Sequence, residues 1–280
     1  MGIFKRKDSN IDIEDKTGNE ISSSPEDQFM KGKKYLNCDP PDHKNAFRCF
    51  EIAAKQEFSE AQYNLGSCYL FGYGVKENQA EAVKWYKMAA EQGHPEAQYQ
   101  VGWAYEGGVG VKQDYKHAIE WYILAAEQGV SYAQYNLGVI FLNGRGVTRN
   151  IAEAKKWTYL SAEQGDVDAQ AGMGIIFSIE ENYTEAFGWF ESAAEGGHLE
   201  AQYNVAVCYD KGLGTDRDLG MAIKYYLLAA EGGYPNAQFN LALKYGRGEG
   251  VEKNEDLAMK WMKCAADGGY SEAISFLKKL

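Results

Sequence analysis

Proline is scarce in this chain, with five residues in 280. A proline inside a helix removes a hydrogen bond and clashes with the preceding turn, so its rarity permits helices throughout. Cysteine is also sparse. Cys38, Cys49, Cys68, Cys208 and Cys264 are odd in number and irregular in spacing, and no C-x-x-C pair occurs. That excludes the usual zinc and thioredoxin-like spacings and reads as reduced thiols, mostly buried in helices. The four histidines, His43, His94, His117 and His198, have no second His or Cys at metal-ligand spacing, so no metal is expected. No stretch of about 18 apolar residues exists, so no membrane-spanning helix is expected. Met1 to Lys7 is basic but is not followed by the apolar run of a secretory signal. Gly2 lacks the Ser or Thr that myristoylation requires, since Arg6 stands there. Three charges at Lys5 to Lys7 are too few for stable membrane attachment, and the cytoplasm is the expected compartment. No basic stripe is available for phosphates. With 29 Lys and Arg against 40 Asp and Glu, the formal charge is −11, which argues against nucleic acid and is compatible with basic partners.

Glycine, in contrast, is abundant at 31 residues, and it recurs in phase. The phrase A-Q-Y-N-L-G begins at Ala61 and again at Ala133, with variants at Ala97, Ala169, Ala201 and Ala237. The step is 36 residues, except for 32 between Ala169 and Ala201. Within a unit, Ala61, Leu65 and Tyr69 lie four apart on one helix face. Gly66 beside them leaves room for a neighbouring helix, a place held later by Ala206 and Ala242. A G-x-G-V turn follows at Gly72–Val75, Gly144–Val147 and Gly248–Val251. Three residues after the valine stands an N-cap, Asn78, Asp114, Asn150 or Asn254, with Asp218 in the same place after Thr215. Ala82, Trp85/Tyr86 and Ala89/Ala90 then form the apolar face of a second helix, and Gly93 and its equivalents end it. One helix pair cannot bury such a stripe, but a stack of pairs can.

These positions form the pattern A-x-x-x-L-G-x-x-Y-x-x-G-x-G-V…A-x-x-W-Y-x-x-A-A-E-x-G. It resembles the Sel-one-like repeat (SLR) family, relatives of the tetratricopeptide repeat, over Ala61 to Leu280. The resemblance implies an all-α fold, a right-handed superhelical solenoid of antiparallel helix pairs, and an adaptor role in assemblies. Six units are expected at 61–96, 97–132, 133–168, 169–200, 201–236 and 237–272. A capping helix pair precedes them at 26–60, and a capping helix follows at 273–280. Residues 1–25 form a polar segment expected to be disordered. In the unit of 32 residues the G-x-G-V turn is replaced by Ser178 to Glu181. That should tighten the connection and alter the stacking there, dividing the array into two arms.

Catalytic or cofactor chemistry finds little support. Gly246-x-Gly248-x-Gly250 lacks both the Gly-Lys-Ser/Thr of a Walker loop and the strand of a dinucleotide loop, and recurs in phase with the other turns. Glu91, Glu127, Glu163, Glu195 and Glu231 are one repeat apart, as surface or turn residues. Some secreted, cysteine-rich SLR members are linked to penicillin binding and β-lactamase activity. Their regularly spaced cysteine pairs are missing here, so a hydrolase ranks last. An inhibitor or immunity-type protein that caps one enzyme is the second reading. The first is a scaffold or adaptor that binds a protein or peptide segment in its inner groove, without a cofactor.

The first helices line the inner face of such arrays. The positions two, three, six and ten after the motif alanine point away from the buried stripe. They present rings and amides in rows: Tyr63 and Asn64, Tyr99 and Gln100, Tyr135 and Asn136, Tyr203 and Asn204, Phe239 and Asn240. Rings supply anchoring area and amides can hold an extended backbone, although the rings could equally pack between adjacent repeats. Five tryptophans (Trp85, Trp121, Trp157, Trp189 and Trp261) share one second-helix position and are expected in the core. Trp103 alone is out of phase, where other units have Ser67, Val139, Ile175, Val207 and Leu243, and is the leading anchor candidate.

Overall fold

A computed structural model of the chain describes residues 23–279. The N-terminal polar segment up to residue 22 lies outside the described residues. Among these there are fifteen helices and no strand. The helices come in pairs: α1 (Pro25–Leu36) with α2 (His43–Lys55), α3 (Ser59–Phe71) with α4 (Gln79–Glu91), and α5 (Pro95–Gly107) with α6 (Tyr115–Glu127). The series continues with α7 (Ser131–Asn143) and α8 (Ile151–Glu163), α9 (Val167–Ile179) and α10 (Tyr183–Glu195), and α11 (Leu199–Lys211) and α12 (Leu219–Glu231). It ends with α13 (Pro235–Arg247), α14 (Glu255–Asp267) and the short α15 (Ser271–Leu277). The described residues form two compact units, divided between Ala133 and Gln134. The shortened repeat lies inside the second unit, away from this division.

The ends of each helix follow from local chemistry. Ser24, near the end of the polar segment, caps α1 by accepting from the Asp27 amide, and Pro25 opens the helix where its missing N–H is not needed. The predicted Asx caps are made: Asn78, Asn150, Asp218 and Asn254 accept from the amides of Glu81, Glu153, Met221 and Leu257 at 2.9–3.2 Å. Second helices stop at a left-handed glycine, such as Gly93 at φ 91°, and the next residue caps the following helix. In the shortened repeat Glu181 adopts φ 59° and Asn182 caps α10 directly.

Packing within a pair depends on Gly66 and its counterparts. A methyl at Gly66 would lie 2.7 Å from the Tyr86 ring, and one at Gly102 would lie 2.6 Å from Tyr122. The tyrosine after the tryptophan is therefore the core residue: Tyr86 and Tyr122, like Tyr226 after Tyr225, are at most 2% exposed. The tryptophans were expected there, and only Trp157 is buried. Trp85, Trp121, Trp189 and Trp261 are half-buried. Each leans on the core of the preceding pair; Trp85, for example, covers the cluster of Phe50, Ala61 and Leu65. The face needed for core burial is narrower than the apolar stripe suggests, and the tryptophan lies at its edge.

Consecutive pairs are joined by two devices. The second glycine of the turn, Gly74, has φ 72°, and a methyl on it would collide with the carbonyl of His43 at the start of α2. The buried glutamine of the A-Q motif spans the helix junction. Gln62, Gln98, Gln202 and Gln238 donate to the carbonyls of Ala54, Ala90, Ala194 and Ala230 at 3.0–3.3 Å. Where the second helix ends in E-Q-G, a further glutamine donates to its oxygen: Gln92 to Gln62, Gln128 to Gln98 and Gln164 to Gln134, at 2.7–2.8 Å. Where the end reads E-G-G or D-G-G, that donor is replaced by Gly232 or Gly268. The Oε1 atoms of Gln202 and Gln238 are then buried and accept no hydrogen bond from the protein.

Candidate protein-binding face

Half of each predicted tyrosine is built into the array. Tyr63 lies between the rings of Tyr86 (5.7 Å) and His94 (4.8 Å). Tyr99 lies between Tyr122 (5.8 Å) and Tyr132 (6.1 Å). In the second unit Tyr203 lies between Tyr226 (5.9 Å) and Tyr234 (5.3 Å), and Tyr135 packs against Ala169 and Met173. Burial raises the pKa of Tyr63, Tyr135 and Tyr203. Within each unit the rings thus pack between successive pairs, with one edge left to solvent.

The amides are also tied down on their donor side. Asn64 donates Nδ2 to the Glu60 carbonyl at 2.7 Å, and Asn240 donates to the hydroxyls of Tyr203 and Tyr226, both at 3.4 Å. Asn136 and Asn204 are half-buried at the same place in their units. His94 and His198, which have no metal-ligand spacing, each cap a first helix, with Nδ1 accepting from the amides of Ala97 (3.4 Å) and Ala201 (3.1 Å). A nitrogen that accepts carries no proton, so the 3.2 Å approach of Glu96 to His94 Nδ1 is not an ion pair. At His198 the other nitrogen, Nε2, faces Asp168 at 3.4 Å, which suits the same neutral tautomer.

Trp103 differs from the row beneath it, being 37% exposed on α5. In the preceding pair its place is held by Ser67, whose hydroxyl meets that of Tyr86 at 3.0 Å. Trp103 offers no acceptor, and the Tyr122 hydroxyl donates instead to Glu106 at 2.7 Å. One turn after Trp103 stands Gly107, which carries no side chain on that face of α5. Phe71, at the equivalent place on α3, is 61% exposed, and its ring touches that of Tyr73 (5.6 Å), which stacks on His43 (4.9 Å). Tyr73 was not among the sequence candidates. Its signal was an aromatic residue in the middle of a G-x-G turn whose counterparts are Val109, Arg145, Leu213 and Glu249.

The second unit holds another feature that the repeat pattern hid. Lys244 occupies a place where other units have Cys68, Ala104, Ile140, Ile176 and Cys208. Its ammonium is buried and pairs with Asp210 (2.7 Å) and Glu249 (3.1 Å). This arrangement satisfies a buried charge and joins α11 to α13.

Among the described residues no group of three or more His, Cys, Asp or Glu side chains converges as a metal site. None of the described helices is long and apolar enough to cross a membrane. The glutamates that end the second helices are exposed, one per repeat.

Stacked helix hairpins with successive pairs packed together define an α-solenoid, a class of fold that generally mediates protein–protein interaction and is generally non-enzymatic. The Sel1 repeat model matches seven consecutive segments: 31–58, 59–94, 95–130, 131–166, 167–198, 199–234 and 235–270. The chain belongs to the Sel1 repeat family. The first match falls in the segment read above as a capping pair. No curated protein matches the chain. Among solved structures, it is similar to a protective antigen of uropathogenic Escherichia coli with an SLR fold, at 35% identity and a TM-score of 0.84. That similarity covers 89% of this chain and 55% of the antigen, so this chain spans about half the antigen's length. It is also similar to a Sel1 repeat protein from Oxalobacter formigenes, at 31% identity and a TM-score of 0.75, covering 85% of this chain and 96% of the other.

Proposed function

We propose that the chain is a scaffold or adaptor that binds a segment of a partner protein on the exposed faces of its first helices, with Trp103 as the principal anchor. The observation that carries this reading is the exposed indole at a position where the other units have Ser67, Val139, Ile175, Val207 and Leu243. A large ring left part-exposed on a face whose neighbouring rings are locked by packing is suited to a hot spot, because little side-chain entropy remains to be lost on binding. Tyr63, Tyr99, Tyr135 and Tyr203 are the packed rings of their units. Asn64, Gln100, Asn136, Asn204 and Asn240 present their amides beside them. The five cysteines are all unpaired, and burial pushes the Cys68 and Cys208 thiols up to about 11, which suits a reducing compartment such as the cytoplasm.

The test is affinity capture from the source cell with wild type beside Trp103→Ala, followed by direct titration of the captured protein. A partner whose affinity falls by about tenfold or more on truncation supports the anchor, since hot-spot residues carry about 2 kcal/mol or more. A partner held equally by both proteins moves the site away from Trp103.

A further inference from the structure

We infer that the segment bound by the first unit is basic: an extended peptide with lysine or arginine on either side of one bulky apolar residue. This rests on the reading above that the first-helix face binds a partner segment. The first observation is the sign of charge. Helices α3 and α5 contain Glu60, Glu96 and Glu106 and neither lysine nor arginine, whereas α4 and α6 carry both signs, Lys84, Lys87 and Lys116 with Glu81, Glu91, Glu120 and Glu127. Glu60 and Glu96 are exposed, and each precedes an amide of the row, Asn64 or Gln100, by one helical turn.

The second observation is hydrogen-bond polarity. Asn64 uses its NH2 on the Glu60 backbone carbonyl. Its side-chain oxygen is thereby left as the acceptor, on the helix face that also carries Glu60 one turn earlier. A surface of this kind is complemented by N–H groups: ammonium, guanidinium and the backbone of an extended chain. The third observation is the apolar seat. Trp103 and Phe71 are exposed, and an aromatic face accepts either an apolar side chain or a cation. The second unit lacks this uniform sign, since Lys211, Lys244 and Arg247 stand on α11 and α13, and the inference is confined to the first.

The experiment uses three pools of short fluorescein-labelled peptides, each with a central Leu, Phe or Met. The flanking residues are Lys and Arg, Ser and Gln, or Asp and Glu. Each pool is titrated by anisotropy against the full chain, against Glu60→Gln/Glu96→Gln and against Trp103→Ala, with circular dichroism to check that the variants fold. The expected result is that the basic pool binds about tenfold or more tightly than the neutral pool and weakens as salt is raised. Glu60→Gln/Glu96→Gln should lower binding of the basic pool to about the level of the neutral pool, and Trp103→Ala should weaken every pool. If neutral or acidic peptides bind as tightly as basic ones and still depend on Trp103, the basic-segment inference is overturned and the binding face stands. Basic binding that ignores both variants also overturns it, because the attraction then lies elsewhere on an acidic protein. If no pool binds, the inference and the reading beneath it both fall.

Discussion

Replacing Gly268 by glutamine should stabilise the second unit, while the same change at Gly232 should not. Both glycines stand where Gln92, Gln128 and Gln164 donate to a buried glutamine in other repeats, and in both cases the acceptor, Gln238 or Gln202, is left without a protein donor. The new hydrogen bond is worth about 1 kcal/mol. Removing a glycine from an ordinary right-handed conformation, φ −74° at Gly268, contributes roughly 0.5 kcal/mol more through the unfolded chain. Against this, a methyl at Gly268 would lie 2.8 Å from the Pro235 ring. The chain already contains this combination, since Gln128 ends α6 opposite Pro95, the first residue of α5, so the contact can be relieved. The net expectation is about 1 kcal/mol, or roughly 2–4 °C in the melting temperature for a unit of this size. At Gly232 the methyl would overlap the Leu199 side chain, and overpacking of about 1–3 kcal/mol cancels the gain. Urea and thermal melts of the two variants, with Gly268→Gln repeated in a Gln238→Met background, make the measurement. Equal gains at both sites, or a gain at Gly268 that survives loss of Gln238, would refute the hydrogen-bond argument.

Further predictions follow from the turns, caps and buried acids. Gly74→Ala should destabilise by more than about 2 kcal/mol in a urea melt, because it combines a left-handed φ with a collision against the His43 carbonyl. His198→Ala should cost about 1 kcal/mol, and His198→Asp should restore most of it, because Asp166 already caps α9 in the same way at 2.9 Å. In the native protein a thiol reagent should modify exposed Cys38 quickly and spare Cys68 and Cys208, which react only on unfolding. These two thiols rise from 9.0 to about 11 and Tyr86 from 10.0 to about 12, so the folded state holds protons that the unfolded state releases. Stability should therefore be constant on this account below pH 9 and fall as pH rises from there, which melts across the alkaline range would show.

The repeat, its helices and its caps were legible in the sequence because each depends on nearby residues. An Asx three places after the turn valine caps its own helix, and a glycine after A-A-E-x ends it, whatever surrounds them. The family was legible for the same reason. The 3.6-residue period also drew the buried stripe, but it could not divide Trp85 from Tyr86, which are adjacent and both apolar. That choice belongs to Gly66 on the opposite helix, whose missing side chain admits only the tyrosine ring.

The candidate face shows the same limit. Trp103 could be picked out because it broke phase with its own repeats, and Lys244 broke phase in the same way but was hidden among residues read as core. Sequence alone left open whether Tyr63 and its equivalents were free anchors or packing. Rings of the neighbouring second helix and of the start of the next first helix, up to 33 positions away, decided for packing. The polarity of the amide row was also decided in three dimensions, because an asparagine presents its oxygen only once its nitrogen has found a carbonyl or a hydroxyl. Local order is written in the chain by spacing. Which face remains open, and what it can accept, is settled only when successive pairs compete for the same surface.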